Sequence, residues 1–499
     1  MKNDQHDSHA LKSTLLIGGA AAFYKIYDSL DNFDRILLMA GSSGLFSIAG
    51  LFAYDRFSKH GRDNRKRIEQ IKTIPMSILR PEANAVLMGT DEELKIPVYL
   101  PDRIRARHVH ILGATGSGKT ESIILNFLRQ DVARGFGSII LDAKGDDSFL
   151  TELQGLVDLD KLKVFDLSTA ESLGYNPLEA GSPLEAAQRL FSSLTWSEEY
   201  YKSKALSTLQ RLFQAHFDRH DSNPMLSDLS TYLDDPNTFM GITKSEKYPK
   251  KLAEEDYAEL SGLKDQIRSL TIGHLEKTLS PVGNDKINLR EAEQGTVIYF
   301  RLQSLLSPQV VATLGKLIIN HLSYLAGTSH RGQNKDSPRT FIPVYLDEFA
   351  AFACPEFADL ISKARSAGYA LHFSHQSIGD LAEVSKGFLN QITDNSATKI
   401  ILRINDPDSA EFFARSFGTK IYQKVTQRIT NTKEVDTAET VGEGSSRDAH
   451  QFRASPDLFK TLPTGVGSVL IAHGEHSPVG ASHVFKIKFP KLERKVSEK

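Results

Sequence analysis

Residues 108 to 128 read HVHILGATGSGKTESIILNFL. The lead-in HVHILG (108–113) has the character of a short buried strand, and TESIILNFLRQ that of a helix. Between them, Gly113-Ala114-Thr115-Gly116-Ser117-Gly118-Lys119-Thr120 satisfies G-x-x-x-x-G-K-[ST] at every fixed position. The strand–loop–helix setting is the one such a loop needs. Its glycines let backbone N–H groups wrap phosphate oxygens at a helix N-terminus. Lys119 can then neutralise the β and γ oxygens, and Thr120 can ligate Mg²⁺. Residues 113–120 are therefore expected to hold ATP, with Mg²⁺ beside Thr120.

A cradle alone binds without hydrolysing, so a carboxylate pair is needed. FIPVYLDEFAAF (341–352) supplies one, since its apolar run predicts a buried strand ending in Asp347 and Glu348. Asp347 is expected to hold the Mg²⁺ shell and Glu348 to take the proton of the attacking water. The next apolar run, ALHFSHQ (370–376), ends in Gln376, a candidate to sense the γ-phosphate and orient water. Neighbouring His375 reads as an ordinary strand-end histidine. In the turn SKARSAGY, Arg365 and Lys363 are placed to reach a neighbouring subunit if the protein forms a ring, and the planar guanidinium of Arg365 suits that role better. A solvated basic turn is the competing reading there.

The remaining composition bounds the class. The 499 residues suffice for two or three domains, and 60 basic against 62 acidic side chains leave a net charge of −2. A strongly basic nucleic-acid binder is excluded, so any contact with nucleic acid requires a local basic surface. Cys354 is the only cysteine, which excludes a disulfide framework and suits a reducing compartment.

Ile36 to Tyr54 is 19 residues without a charge, which at about 1.5 Å per residue nearly spans a bilayer core. The basic cluster Arg56, Lys59, Arg62, Arg65, Lys66 and Arg67 follows it and marks the cytoplasmic side. A second run, 11–27, spans if Lys12 and Lys25 snorkel. Two spans are expected, a multi-pass anchor with the main domain in the cytoplasm. A single span with its N-terminus outside is the alternative.

Beyond residue 67, apolar runs at 108–113, 137–143, 162–167, 296–302, 341–348, 370–376, 398–404 and 467–474 read as strands, several buried on both faces of a parallel sheet. From Ser182-Pro183-Leu184-Glu185, a capping box with proline in the first turn, the periodicity turns helical and stays so to about 290. The expected fold class is α/β, a RecA-like P-loop NTPase core with an inserted all-α domain and N-terminal transmembrane helices. Its divisions are an anchor (1–67), a nucleotide-binding domain in two pieces (68–180 and 291–485), the all-α insertion (181–290) and a C-terminal tail (486–499). Residues 430–450 are polar and rich in Gly and Ser, and are expected to be mobile.

GATGSGKT, LDAKGDD (141–147), YNPLE (175–179), LDEF (346–349), SHQS (374–377) and TKIILRINDPDSAEFFARSFG (398–418) occur in an order that resembles the type IV coupling proteins of the TraG/TraD group. The likeness covers most of residues 85–475. It implies a hexameric ATPase in the bacterial inner membrane that links relaxase-bound single-stranded DNA to a type IV secretion channel in conjugation. The family's nucleotide-binding lysine falls on Lys119 and its acidic pair on Asp347 and Glu348. Two departures stand out: the segment between the membrane stretches is too short for a periplasmic domain, and no long acidic tail follows. A coupling protein exporting protein effectors and an FtsK-like double-stranded DNA translocase share the motor and remain alternatives. A scaffold that hydrolyses little is disfavoured by Glu348.

Overall fold

The computed structural model describes residues 67–68, 70–71, 74, 76–80, 83–244, 254, 256–329, 340–430, 439–472 and 482–490, the side chains of 423–446 excepted. The expected spans at 11–27 and 36–54 lie outside the described residues. Two compact units divide the chain, Met1–Met76 and Ser77–Lys499, and every described strand belongs to the second.

Among the described residues thirteen strands are found: β1 (Ala85–Asp91), β2 (Pro97–Pro101), β3 (Val109–Leu112), β4 (Ser138–Asp142), β5 (Leu162–Asp166), β6 (Val297–Arg301), β7 (Ile342–Asp347), β8 (Tyr369–His375), β9 (Thr398–Ile401), β10 (Thr419–Thr430), β11 (Glu439–Phe452), β12 (Val466–Ala472) and β13 (Ser482–Lys488). Eleven of them form one sheet in the order β2-β1-β13-β12-β9-β3-β8-β7-β4-β6-β5. From β9 to β5 every pairing is parallel, and from β9 outward through β12, β13, β1 and β2 every pairing is antiparallel. Parallel β3, β4, β7, β8 and β9 are buried at every residue, which explains why the sequence shows no alternation there.

Each apolar run read as a strand is one. The antiparallel edge was not anticipated, because β1, β2 and β13 are short and mix polar with apolar residues. Two expectations are corrected. Residues 439–450 belong to β11, which pairs with β10 in a two-stranded ribbon where cross-strand backbone bonds override a polar, glycine-rich composition. Lys486–Lys488 belongs to β13, paired with both β12 and β1, so the sheet extends past the expected tail boundary at 486.

Between β5 and β6 the described residues contain helices and no strand: Pro183–Ser193, Glu199–His220, Leu226–Asp234, Pro236–Thr243, Ser261–Ser269 and Leu275–Leu279. The first starts at the expected capping box, with the Glu185 carboxylate accepting from the Ser182 N–H (2.9 Å). Its Leu190, together with Leu209, Phe213 and Leu229 of its neighbours, shares a continuous core with Phe300 of β6 and Leu346 of β7.

Among the described residues, one helix is long and apolar enough to cross a membrane, Pro308–Thr328. Leu314, Leu317, Ile318 and Leu322 of that helix belong to the core beside the sheet, so the core accounts for its hydropathy.

Candidate functional site

The site lies where parallel β3, β8, β7 and β4 end, the edge at which open α/β sheets bind ligands. The loop after β3 turns through left-handed backbone at Gly116 (φ 72°) and Gly118 (φ 103°). The left-handed backbone is what favours glycine at 118, and a Cβ there would also push the Ser122 hydroxyl aside from 2.8 Å. The helix that follows opens with a widened π-type turn, Lys119–Ile124, before becoming regular over Leu125–Ala133. Lys119 is buried at its start. Its ammonium donates to the Gly113 carbonyl (2.8 Å) and lies 3.5 Å from Glu348 Oε1.

Thr120 Oγ1 donates to Asp347 Oδ2 (2.5 Å), joining residues 227 positions apart in sequence. The other carboxylate oxygen of Asp347 accepts from the Ser374 hydroxyl of β8 and from the backbone N–H of Glu348 (3.1 Å). Glu348 is held at φ 49°, a left-handed conformation that a residue with a Cβ rarely adopts. That bend turns the chain out of β7, and the Glu348 carboxylate then faces both Lys119 and Gln376.

Because β8 lies between β3 and β7, Gln376 at its end is placed between the loop and the carboxylates. Its amide Nε2 donates to Glu348 Oε2 (3.2 Å), and its Oε1 accepts from Thr115 Oγ1 (3.2 Å). Lys119, Thr120, Asp347, Glu348 and Gln376 are thus brought together.

Arg365 is not among them. It is exposed in the turn Ala364–Ala367, before the first residue of β8, and the length of that strand, roughly 20 Å, separates it from the site of its own chain.

Sequence reasoning did not assign Asp142 or Ser374. Asp142 ends β4 directly opposite Asp347 in the parallel register. Burial first, and the Asp347 charge second, raise its pKa above the usual carboxylate range. It accepts from the Tyr299 hydroxyl (2.8 Å) and the Lys144 N–H (2.8 Å). The available signal was the apolar run IILD, which ends in a carboxylate as VYLD does. A cleft opens beside Thr120 and Asp347, walled by Asp142, Lys144, Asp146 and Phe149. On the loop's other side, Thr464 donates to the Gly116 carbonyl (3.4 Å) and Gly465 N–H to that of Ser117 (3.1 Å).

Electrostatically the cradle suits an anion with a cation beside it. The buried Lys119 ammonium has a carbonyl and a distant carboxylate for partners, and buried Ser117 Oγ has no hydrogen-bond partner among the described residues. Thr120 and Asp347 place two hard oxygens at hydrogen-bond distance, the donor type a Mg²⁺ ion prefers.

Comparison with known proteins agrees with this architecture. The family described as the central domain of the helicase HerA matches residues 55–322, more than half of the chain, and the family described as the TraM recognition site of TraD and TraG matches residues 342–460. The type 4 coupling protein DotL of Legionella pneumophila is 24% identical over 454 residues, covering 74% of this chain. The chain spans 56% of the length of that relative.

Among solved structures, the bacterial conjugative coupling protein TrwBΔN70 superposes with a TM-score of 0.59 at 15% identity, over 83% of this chain and 90% of that one. TrwB in complex with ADP and Mg²⁺ gives 0.57 at 16% identity, over 83% and 90%. VirB4 of Thermoanaerobacter pseudethanolicus gives 0.53 at 17% identity, over 83% and 98%. At these identities the superpositions establish a shared fold, a mixed α/β sheet of the P-loop NTPase type. The chain therefore belongs to the family of the HerA helicase central domain, and its residues 342–460 are similar to the TraM recognition site of TraD and TraG.

Proposed function

We propose that this protein is an ATP-driven motor of the bacterial inner membrane that couples relaxase-bound DNA to a type IV secretion channel and drives conjugative transfer. The observation that carries the reading is the convergence of Lys119, Thr120, Asp347, Glu348 and Gln376 at one sheet edge, in a chain similar to TraD and TraG over residues 342–460. A nucleotide-binding scaffold has no need of Glu348 aimed at the loop.

In this reading, residues 113–120 bind the triphosphate, with Lys119 exchanging its carbonyl and carboxylate partners for phosphate oxygens. Thr120 and Asp347 would hold Mg²⁺, which when bound neutralises charge on the phosphates. Glu348 orients and deprotonates the attacking water, and Gln376, already hydrogen-bonded to Glu348, holds it in line. Ser374 keeps Asp347 fixed from behind. The fit of nucleotide and Mg²⁺ to TrwB supports the same ligands here.

The remaining assignments rest on sequence and kinship. Residues 1–67 form the membrane anchor, with spans at 11–27 and 36–54, and residues 68–180 and 291–488, the sheet's last strand included, form the nucleotide-binding domain. The helical stretch 181–290 is the all-α insertion that meets the DNA-processing complex in the cytoplasm. The working assembly is a homohexamer in which Arg365 of one subunit reaches the nucleotide of the next.

The test is a mating assay in a strain from which the gene is deleted, scored both for element DNA in recipients and for exported protein. Complementation by the wild-type gene should restore DNA transfer, and Lys119→Ala should restore neither transfer nor ATP turnover while still inserting in the membrane. DNA transfer by the Lys119→Ala strain would remove the motor reading. Export of protein without DNA would replace DNA cargo by effectors.

A further inference from the structure

Two histidines outside the carboxylate constellation meet directly beneath it. His110 lies on β3, three residues before Gly113, and His375 ends β8, immediately before Gln376. Both rings are buried, with centroids 4.9 Å apart and planes 22° from parallel, and their Nε2 atoms are 2.6 Å apart.

The surrounding groups place one proton. His375 Nδ1 is 2.7 Å from the Ser377 carbonyl, which can only accept, and 3.7 Å from Asp380 Oδ2, so Nδ1 carries a hydrogen, and in a ring with no second proton Nε2 is an acceptor. In that form His110 donates from its own Nε2, which leaves its Nδ1 as a buried acceptor. That atom has no partner among the described residues.

An unpaired buried polar atom costs on the order of 1–3 kcal/mol. His110 is packed against Phe373 (4.8 Å between centroids) and Phe413 (5.5 Å). Burial, with His375 and Lys399 nearby, holds its pKa well below the ordinary histidine value. Lys399 turns its ammonium to the Ser396 carbonyl (2.8 Å). A phenylalanine at 110 would fill this apolar place but would move the unpaired nitrogen to His375 Nε2, so the imidazole is accounted for by its link to His375 rather than by packing alone. What the imidazole adds is the N–H···N link to the residue next to Gln376.

The link joins the two strands that carry the phosphate loop and the glutamine. The Gly113 N–H also donates to the His375 carbonyl (3.2 Å), and beyond it Asp380 caps the turn by accepting from the N–H groups of Gln376 and Ser377 (both 3.0 Å). The Gln376 side chain leaves this braced backbone toward Thr115 and Glu348.

We propose that His110 and His375 are a positioning pair that holds Gln376 in register with the phosphate loop during turnover. The inference rests on the proposed action of Gln376 on the attacking water. Neither histidine touches the substrate, so both act through Gln376. The predicted signature is a fall in kcat at nearly constant KM for ATP.

The test uses the full chain and steady-state ATP hydrolysis with four variants. His110→Phe keeps the ring stacking but exchanges the orphaned His110 Nδ1 for an unpaired His375 Nε2, so its Tm should stay close to the parent's while kcat falls roughly tenfold or more. His110→Gln carries an amide donor near the position of Nε2 and should recover most of that loss. His375→Asn keeps the donor to Ser377 but cannot reach His110, and should match His110→Phe. Gln376→Ala separates the two readings. If it lowers kcat while His110→Phe turns over normally, the pair is overturned alone; if it turns over normally, the role of Gln376 is overturned and the pair falls with it. A kcat loss in His110→Phe that tracks a lower Tm would reduce His110 to a structural residue and also overturn the proposal.

Discussion

In the proposed mechanism Glu348 is the residue on which hydrolysis turns, and three features of its surroundings suit it to take a proton. Its backbone is held at φ 49° by bonds from its N–H to Asp347 Oδ1 and Ser374 Oγ. One carboxylate oxygen faces Lys119 and the other accepts from Gln376. Glu348→Gln keeps the size and the hydrogen-bonding reach while removing the base. Turnover should fall on the order of a hundredfold or more, the usual cost of losing a positioned base, while nucleotide stays bound. Single-turnover hydrolysis and retention of labelled ATP after gel filtration would measure both, and turnover at the wild-type rate would assign the base to another residue. At this scale much was legible. The loop residues 113–120, Asp347, Glu348 and Gln376 each end or follow an apolar run, which the sequence displays. Asp142 and Ser374 were not legible as partners of Asp347, because the first depends on the β4–β7 register and the second on β8 lying beside β7.

Among elements, the strand order matters most to the site. The sequence marks β3, β7 and β8 as buried strands but says nothing of their lateral order, and only with β8 between β3 and β7 does Gln376 come to bridge Thr115 and Glu348. The antiparallel edge escaped notice for a related reason. Its strands alternate weakly and gain their backbone partners from positions as distant as Thr90 and Lys488. Helix Pro308–Thr328 braces the carboxylate strand from one face. At its Gly315, a Cβ would lie 2.5 Å from both Cβ and Cγ of Phe352, in the turn that follows Glu348. Helix propensity alone favours alanine over glycine by about 1 kcal/mol. Overpacking a filled core costs about 1–3 kcal/mol, and the near end of a phenylalanine cannot swing away as a flexible tip would. Gly315→Ala should therefore lower Tm. Because Phe352 lies in the turn after Glu348, kcat should fall with it. A thermal melt showing a higher Tm would mean the helix moves freely relative to that turn.

For the whole molecule, the geometry divides the proposed machinery between two opposite edges. The phosphate loop, Asp347, Glu348 and Gln376 occupy the edge where the parallel strands end, whereas Arg365 is exposed at the edge where β8 begins, roughly 20 Å away. A guanidinium there cannot serve the nucleotide of its own chain without dismantling β8, whose residues are buried along its length. If Arg365 contributes to catalysis, it does so only in a head-to-tail ring, where each subunit offers its basic turn to the next subunit's site. Subunit mixing distinguishes that arrangement from a solvated turn. Arg365→Ala chains retain an intact phosphate site and lack the finger, and Lys119→Ala chains lack the site and retain the finger. Each alone should be nearly inactive, since a finger in trans is worth about 10³–10⁵ in rate. Mixed rings should recover activity at junctions where an intact site faces an intact finger, with a bell-shaped dependence on the mixing ratio. Arg365→Ala chains active by themselves, or mixtures no more active than their parts, would return Arg365 to the solvent and leave the two edges of the sheet uncoupled.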